Sequence, residues 1–105
     1  MRATRIEKLK LLLAQDPSDS FTRYALALEY AGMNEPAQAG SLLEELINRD
    51  PSYVPAYQQL GYLYQKLDRR DEAAAIFKRG VQVAAQQGDS HAKSEMEEAL
   101  SGLFD

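Results

Sequence analysis

The sequence predicts an all-α fold of stacked helix pairs. Three observations carry that reading: a self-similar segment, apolar residues at helical spacing inside each copy, and turn-forming residues where helices would have to end. Asp16-Pro17-Ser18 recurs as Asp50-Pro51-Ser52, a shift of 34 residues, and the same shift places Leu26 on Leu60, Tyr30 on Tyr64 and Ala39 on Ala73. In the second copy Leu60 and Tyr64 lie one helical turn apart, as do Ala73 and Phe77 further on, so each pair shares a helix face and the two faces can meet. The small residues Ala27 and Gly61 sit beside these large ones, which lets two helix axes approach while the rings fill the flanking space.

Helices are expected over about residues 2–15, 20–32, 35–49, 54–67, 70–87 and 90–103. The first carries Ile6, Leu9, Leu12 and Leu13 on one stripe. Pro17 and Pro51 cannot continue the helices before them, and Ser18 or Asp19, and likewise Ser52, can accept hydrogen bonds from the free amides of the next helix. Asn34 and Asp68 stand at the turns inside each helix pair, where both tolerate the left-handed conformation that ends a helix without glycine. Pro36 falls early in its helix, where no amide partner is lost. By the repeat a third proline belongs at 85, but Ala85 stands there, so the fifth helix should run on to Gly88. The last helix sets Ala92, Met96, Ala99, Leu100 and Leu103 on one side, beside Lys93, Glu95, Glu97 and Glu98.

Composition bounds the function. A chain of 105 residues, 45% hydrophobic and 27% charged, fits one folded domain with a modest core. Its net charge of −4 argues against nucleic acid, because phosphate binding needs a surplus of Lys and Arg on one face. The charge is uneven: Arg2, Arg5, Lys8 and Lys10 crowd the start, and Glu95, Glu97, Glu98 and Asp105 crowd the end. Cysteine is absent, which excludes disulfides, thiolate nucleophiles and Cys-based zinc sites and fits a cytoplasmic setting. The apolar run Leu11-Leu12-Leu13 is too short for a signal segment or a membrane span, so no membrane role is expected.

The chemistry-bearing residues do not converge on a site. His91 has no second histidine and no cysteine to complete a metal site, and it reads as an exposed residue in the first turn of the last helix. Glu44-Glu45 and Glu97-Glu98 are sequential neighbours on helices, which point apart and cannot form an acid/base pair. The glycines are scattered singly through helical text, so no phosphate loop exists, and serines such as Ser41 and Ser94 have no His and Asp to complete a triad. No catalytic, metal or cofactor residue is expected.

Tyr57, Leu60, Gly61 and Tyr64, followed by Ala73 and Phe77, have the spacing aromatic-x2-Leu-Gly-x2-Tyr and then Ala-x3-Phe. With the 34-residue period, they make the chain resemble the tetratricopeptide repeat (TPR) family. The first copy matches through Leu26, Ala27, Tyr30, Ala39, Leu43 and Leu46, with Arg23 where the family favours a large aromatic, a departure expected to weaken one packing point. The resemblance implies a right-handed superhelix of antiparallel helix pairs, an α-solenoid. Residues 1–16 would form an N-terminal capping helix, 17–53 repeat one, 54–88 repeat two and 89–105 a C-terminal capping helix.

It also implies a protein-interaction role, with the first helix of each pair lining a concave groove. In repeat one that face holds Phe21, Tyr24, Ala25, Leu28 and Ala31; in repeat two it holds Gln58, Gln59, Tyr62, Gln65 and Lys66. Family members that clamp a chaperone's C-terminal carboxylate present Lys, Arg and Asn here, whereas this chain has Tyr24, Leu28, Gln58 and Tyr62. The expected ligand is therefore a peptide or helix of a partner protein, held by apolar contacts and glutamine hydrogen bonds. Two alternatives stand beside this reading. Phe21 or Tyr24 would instead be buried against the first helix and Tyr62 under the last, or the uncovered aromatic face or the oppositely charged ends would join identical chains into a homo-oligomer.

Overall fold

The structure, a computed structural model, describes residues 2–105, with side chains from Ala3 onward. Among the described residues there are six helices and no strand: α1 (Arg2–Gln15), α2 (Ser20–Gly32), α3 (Pro36–Arg49), α4 (Val54–Lys66), α5 (Arg70–Gln87) and α6 (Ser90–Ser101). They form two compact units, one ending at Asp50 with α1 to α3 and one starting at Pro51 with α4 to α6.

In the first unit α2 packs against both α1 and α3. The buried residues of α3, Ala39, Leu43, Leu46 and Ile47, recur at helical spacing and close on Leu26 and Ala27 of α2. The α1 stripe is narrower than the sequence implies. Ile6 is buried and Leu9 and Leu13 are half-buried, but Leu12 is exposed, because α1 meets chiefly one neighbour.

The start of α2 is fixed by Asp19, whose carboxylate accepts the Thr22 amide at 3.3 Å and the Thr22 hydroxyl at 2.7 Å. Ser18 turns the other way and donates to Asp16 at 2.7 Å. Asn34 ends the pair's turn in the left-handed region, φ 58°, and the Glu35 amide then donates to the Tyr30 carbonyl at 3.0 Å. Ser20 donates its hydroxyl to Asp50 at 2.6 Å, tying the start of α2 to the end of α3.

In the second unit α5 packs against both α4 and α6, and α6 also touches α4. The core holds Tyr57, Leu60 and Tyr64 from α4, Ala73, Ile76, Phe77 and Ala84 from α5, and Ala92 and Met96 from α6. Gly61 is buried against Phe77: a β-carbon there would overlap the ring, with two of its carbons at 2.6 Å. Gly80 is equally confined, since its β-carbon would stand 2.5 Å from Met96 Sδ and 2.8 Å from Tyr57 Cβ. Asp68 repeats the Asn34 turn with φ 58°, and α5 runs past Ala85 to a left-handed Gly88, φ 72°. The cap position of α4 is Tyr53 rather than Ser52 and makes no capping side-chain bond, whereas Asp89 caps α6 by accepting the Ala92 amide at 3.0 Å.

Candidate protein-interaction surfaces

Leu26 and Ala27 commit one side of α2 to the core, and the residues out of phase with them occupy the other side. Phe21, Tyr24, Ala25 and Leu28 share that second face by their three- and four-residue spacing. Phe21 is 70% exposed, Leu28 is 38% exposed, Ala31 is exposed, and Tyr24 and Ala25 are half-buried. Beside them lies an open depression of about 500 Å³ lined by Arg5, Lys8 and Leu9 of α1 and by Ala25, Leu28 and Glu29 of α2. Its polar rim is held by an ion pair, Arg5 to Glu29 at 2.6 Å. Phe21 and Tyr24 lie outside the lining of this depression.

The corresponding face of α4 is more polar and partly covered. Gln58 and Gln59 are half-buried, and Tyr62, Gln65 and Lys66 are exposed. The Gln58 side-chain amide donates to the Tyr62 hydroxyl at 3.1 Å and to Glu95 of α6 at 3.0 Å. The Tyr62 ring meets Phe77 edge-on, with centroids 5.6 Å apart, so Tyr62 has a packing role as well as 38% exposure. Tyr62 and Gln65 line an open depression of about 480 Å³ together with Glu95, Glu98, Ala99 and Gly102, while Gln58, Gln59 and Lys66 fall outside its lining.

Arg5, Lys8 and Leu9, and Glu95, Glu98 and Ala99, escaped the sequence reading of these surfaces. The charged members look like solvated helix faces until a second helix is placed beside them. His91 is exposed as expected and faces Glu95 at 3.4 Å. Among the described residues no group of three or more His, Cys, Asp or Glu is placed to hold a metal ion, and no helix is long and apolar enough to cross a membrane.

One expectation needs correction. Arg23 is not a weakened packing point, because the residue is buried and its Nη2 donates to the Pro17 carbonyl at 2.6 Å. Burial, and then the positive charge of Arg49, pull the Arg23 pKa below its ordinary value, partly offset by Glu45.

Helices paired by left-handed turns and repeating at 34 residues define an α-helical repeat protein. A family model described as tetratricopeptide repeat matches residues 30–96, and the chain belongs to that family. It is 28% identical over 91 residues to a TPR repeat-containing protein of Pseudomonas aeruginosa, covering 87% of each chain. Among solved structures it is similar to a tetratricopeptide repeat domain protein from Salinibacter ruber, at 42% identity and a TM-score of 0.80, over 85% of this chain and 90% of that one. The TPR2B domain of yeast Sti1, solved in a complex with pHsp70, shares the fold at 14% identity with a TM-score of 0.87, over 93% of this chain and 78% of that one.

Proposed function

We propose that this chain is a non-catalytic adaptor that holds a peptide or helix of a partner protein against the exposed face of α2; the α4 face is a separate, more polar surface of the second unit. The observation that carries the reading is the set Phe21, Tyr24 and Leu28, which keeps apolar surface in water beside a depression floored by Leu9 and Ala25. Such surface is costly to leave exposed and usually marks a docking site. Family membership supports it, as does the same fold in the yeast Sti1 domain in complex with pHsp70. On α4, Gln59, Gln65 and Lys66 supply amide and ammonium donors suited to backbone carbonyls. The test is a peptide selected from a display library against the full chain and titrated into isotope-labelled protein. The largest amide shifts are expected at Phe21, Tyr24, Leu28 and Tyr62; shifts confined to α3 or α5 would overturn the assignment.

A further inference from the structure

The helix α4 carries three tyrosines, and a guanidinium covers two of them. Arg69 stands 4.6 Å from the ring centre of Tyr64 and Arg79 stands 5.5 Å from that of Tyr57, each a cation on an aromatic face. Tyr62 has no cation over its ring among the described residues, although it is 38% exposed and meets Phe77 edge-on. It lines the open depression of about 480 Å³ beside α6, together with Glu95 and Glu98, which stand three residues apart on one face of that helix. These carboxylates also lack a lysine or arginine of the chain. Glu98 makes no side-chain hydrogen bond or ion pair among the described residues, and Glu95 accepts from the neutral Gln58 amide at 3.0 Å and stands 3.4 Å from His91. Glu97, by contrast, is held by Lys93 at 3.2 Å. Lys66 lies one turn beyond Tyr62, but helical phase sets it, with Gln59, on one flank of Tyr62 and sets Gln58 and Gln65 on the other, the flank that meets α6.

We infer that this depression takes an arginine side chain of a partner polypeptide. The guanidinium stacks on the Tyr62 ring and donates to Glu98, with Glu95 adding negative charge beside it. The chain already builds such a grip once: Arg69 lies over Tyr64 and donates from Nε and Nη2 to the Glu72 carboxylate, each at 2.7 Å. Tyr62 and Glu98 present the same ring and carboxylate with no cation of their own. Ala99 and Gly102 add little bulk to the lining, which leaves room for a flat group. Arginine is chosen over lysine because a planar, forked cation stacks and bonds at once, whereas an ammonium is a point charge. The inference rests on the reading of the chain as a protein-interaction module but not on the α2 face, which belongs to the first unit.

The test is an NMR titration of the isotope-labelled full chain with a capped glycine peptide bearing one central arginine, beside the same peptide bearing lysine or uncharged citrulline. At low salt the arginine peptide should shift the amides of Tyr62, Gln65, Glu95 and Glu98. The lysine peptide should bind more weakly, and citrulline should leave the spectrum unchanged. Glu98→Gln and Tyr62→Leu should each weaken the arginine peptide by about threefold or more, the size of a surface cation–π contact or ion pair. Raised salt should weaken it as well. Both positions are exposed, so the rest of the amide spectrum should match wild type; if Tyr62→Leu disturbs Phe77, Glu98→Gln decides alone. Phe21→Ser with Leu28→Ser should leave arginine binding unchanged. A selected peptide that binds the α2 face while the arginine peptide does not bind would overturn this inference alone, and the reverse would overturn the α2 assignment alone. Equal shifts with citrulline, shifts spread over distant carboxylates such as Asp71 and Glu35, or unchanged affinity in Glu98→Gln would also overturn it.

Discussion

Arg23 and Tyr57, separated by 34 residues, do one job in two chemistries. The Arg23 guanidinium donates to the Pro17 carbonyl and the Tyr57 hydroxyl donates to the Pro51 carbonyl, each at 2.6 Å. Both side chains start inside the first helix of a pair and reach back to the proline that ends the preceding helix, closing the entry of the chain. Both donor residues are buried while Pro17 and Pro51 are exposed, so each bond is partly shielded from competing water.

Arg23→Met keeps the length of the side chain and removes the donor, leaving the Pro17 carbonyl without this bond. A loss of about 1.5–3 kcal/mol is expected, as for a hydrogen bond from a charged group. Arg23→Tyr should recover much of it by copying Tyr57. Thermal melts of the two variants check this: equal melting temperatures for Met and Tyr would show that the bond does not matter.

Gly80→Ala should destabilise the second unit although alanine is the better helix former by about 0.5–1 kcal/mol. The new β-carbon would meet Met96 Sδ and Tyr57 Cβ at 2.5 and 2.8 Å. Overpacking of that kind costs about 1–3 kcal/mol, which exceeds the helix gain. A denaturant melt with a midpoint at or above wild type would contradict the packing of α6 on α5.

Gly61→Ala should be worse tolerated than Gly80→Ala, because its obstacle is the rigid ring of Phe77 rather than a thioether that can turn. Pairing it with Phe77→Leu should return part of the lost stability, a coupling that distant sites would not show. Strict additivity in a double-mutant cycle would place Gly61 away from Phe77.

The Asp19 carboxyl is held below its ordinary value of 3.8, chiefly by the Thr22 hydroxyl and then by the Thr22 amide. Its contribution to stability is therefore present above the unfolded-state pKa and is lost as pH falls through the lowered folded one. At neutral pH the wild type should melt above Asp19→Ala, and the gap should close as pH drops below about 4. A gap that is constant across that range would show that the cap does not depend on the charged carboxylate.

Helix boundaries were legible because local chemistry sets them: Pro36, Asn34, Asp68 and Gly88 act through their own backbone geometry and occupy the places their types require. Arg23 was misread because its partner is a main-chain carbonyl, which has no signature in sequence. Gly80 stood out only as a glycine inside a helix; that Met96 closes on it depends on how α6 packs. On α2 the outward face follows from helical phase once Leu26 and Ala27 are assigned inward. On α4 the same reasoning was incomplete, since the Gln58–Glu95 bond spans 37 residues and depends on α6 turning back. Leu12 shared a predicted apolar stripe yet is exposed, because the width of a buried stripe is set by the number of neighbouring helices.

The central claim is that the apolar face of α2 serves binding rather than packing. It is tested most directly by titration calorimetry of a selected partner peptide against wild type and against Phe21→Ser with Leu28→Ser, with melting curves recorded alongside. The expected result is binding weaker by about tenfold or more, roughly 1.4 kcal/mol, with a melting temperature close to wild type because both side chains are exposed. Unchanged affinity would contradict the claim, and so would a fall in stability of about 2–5 kcal/mol, which marks buried core residues.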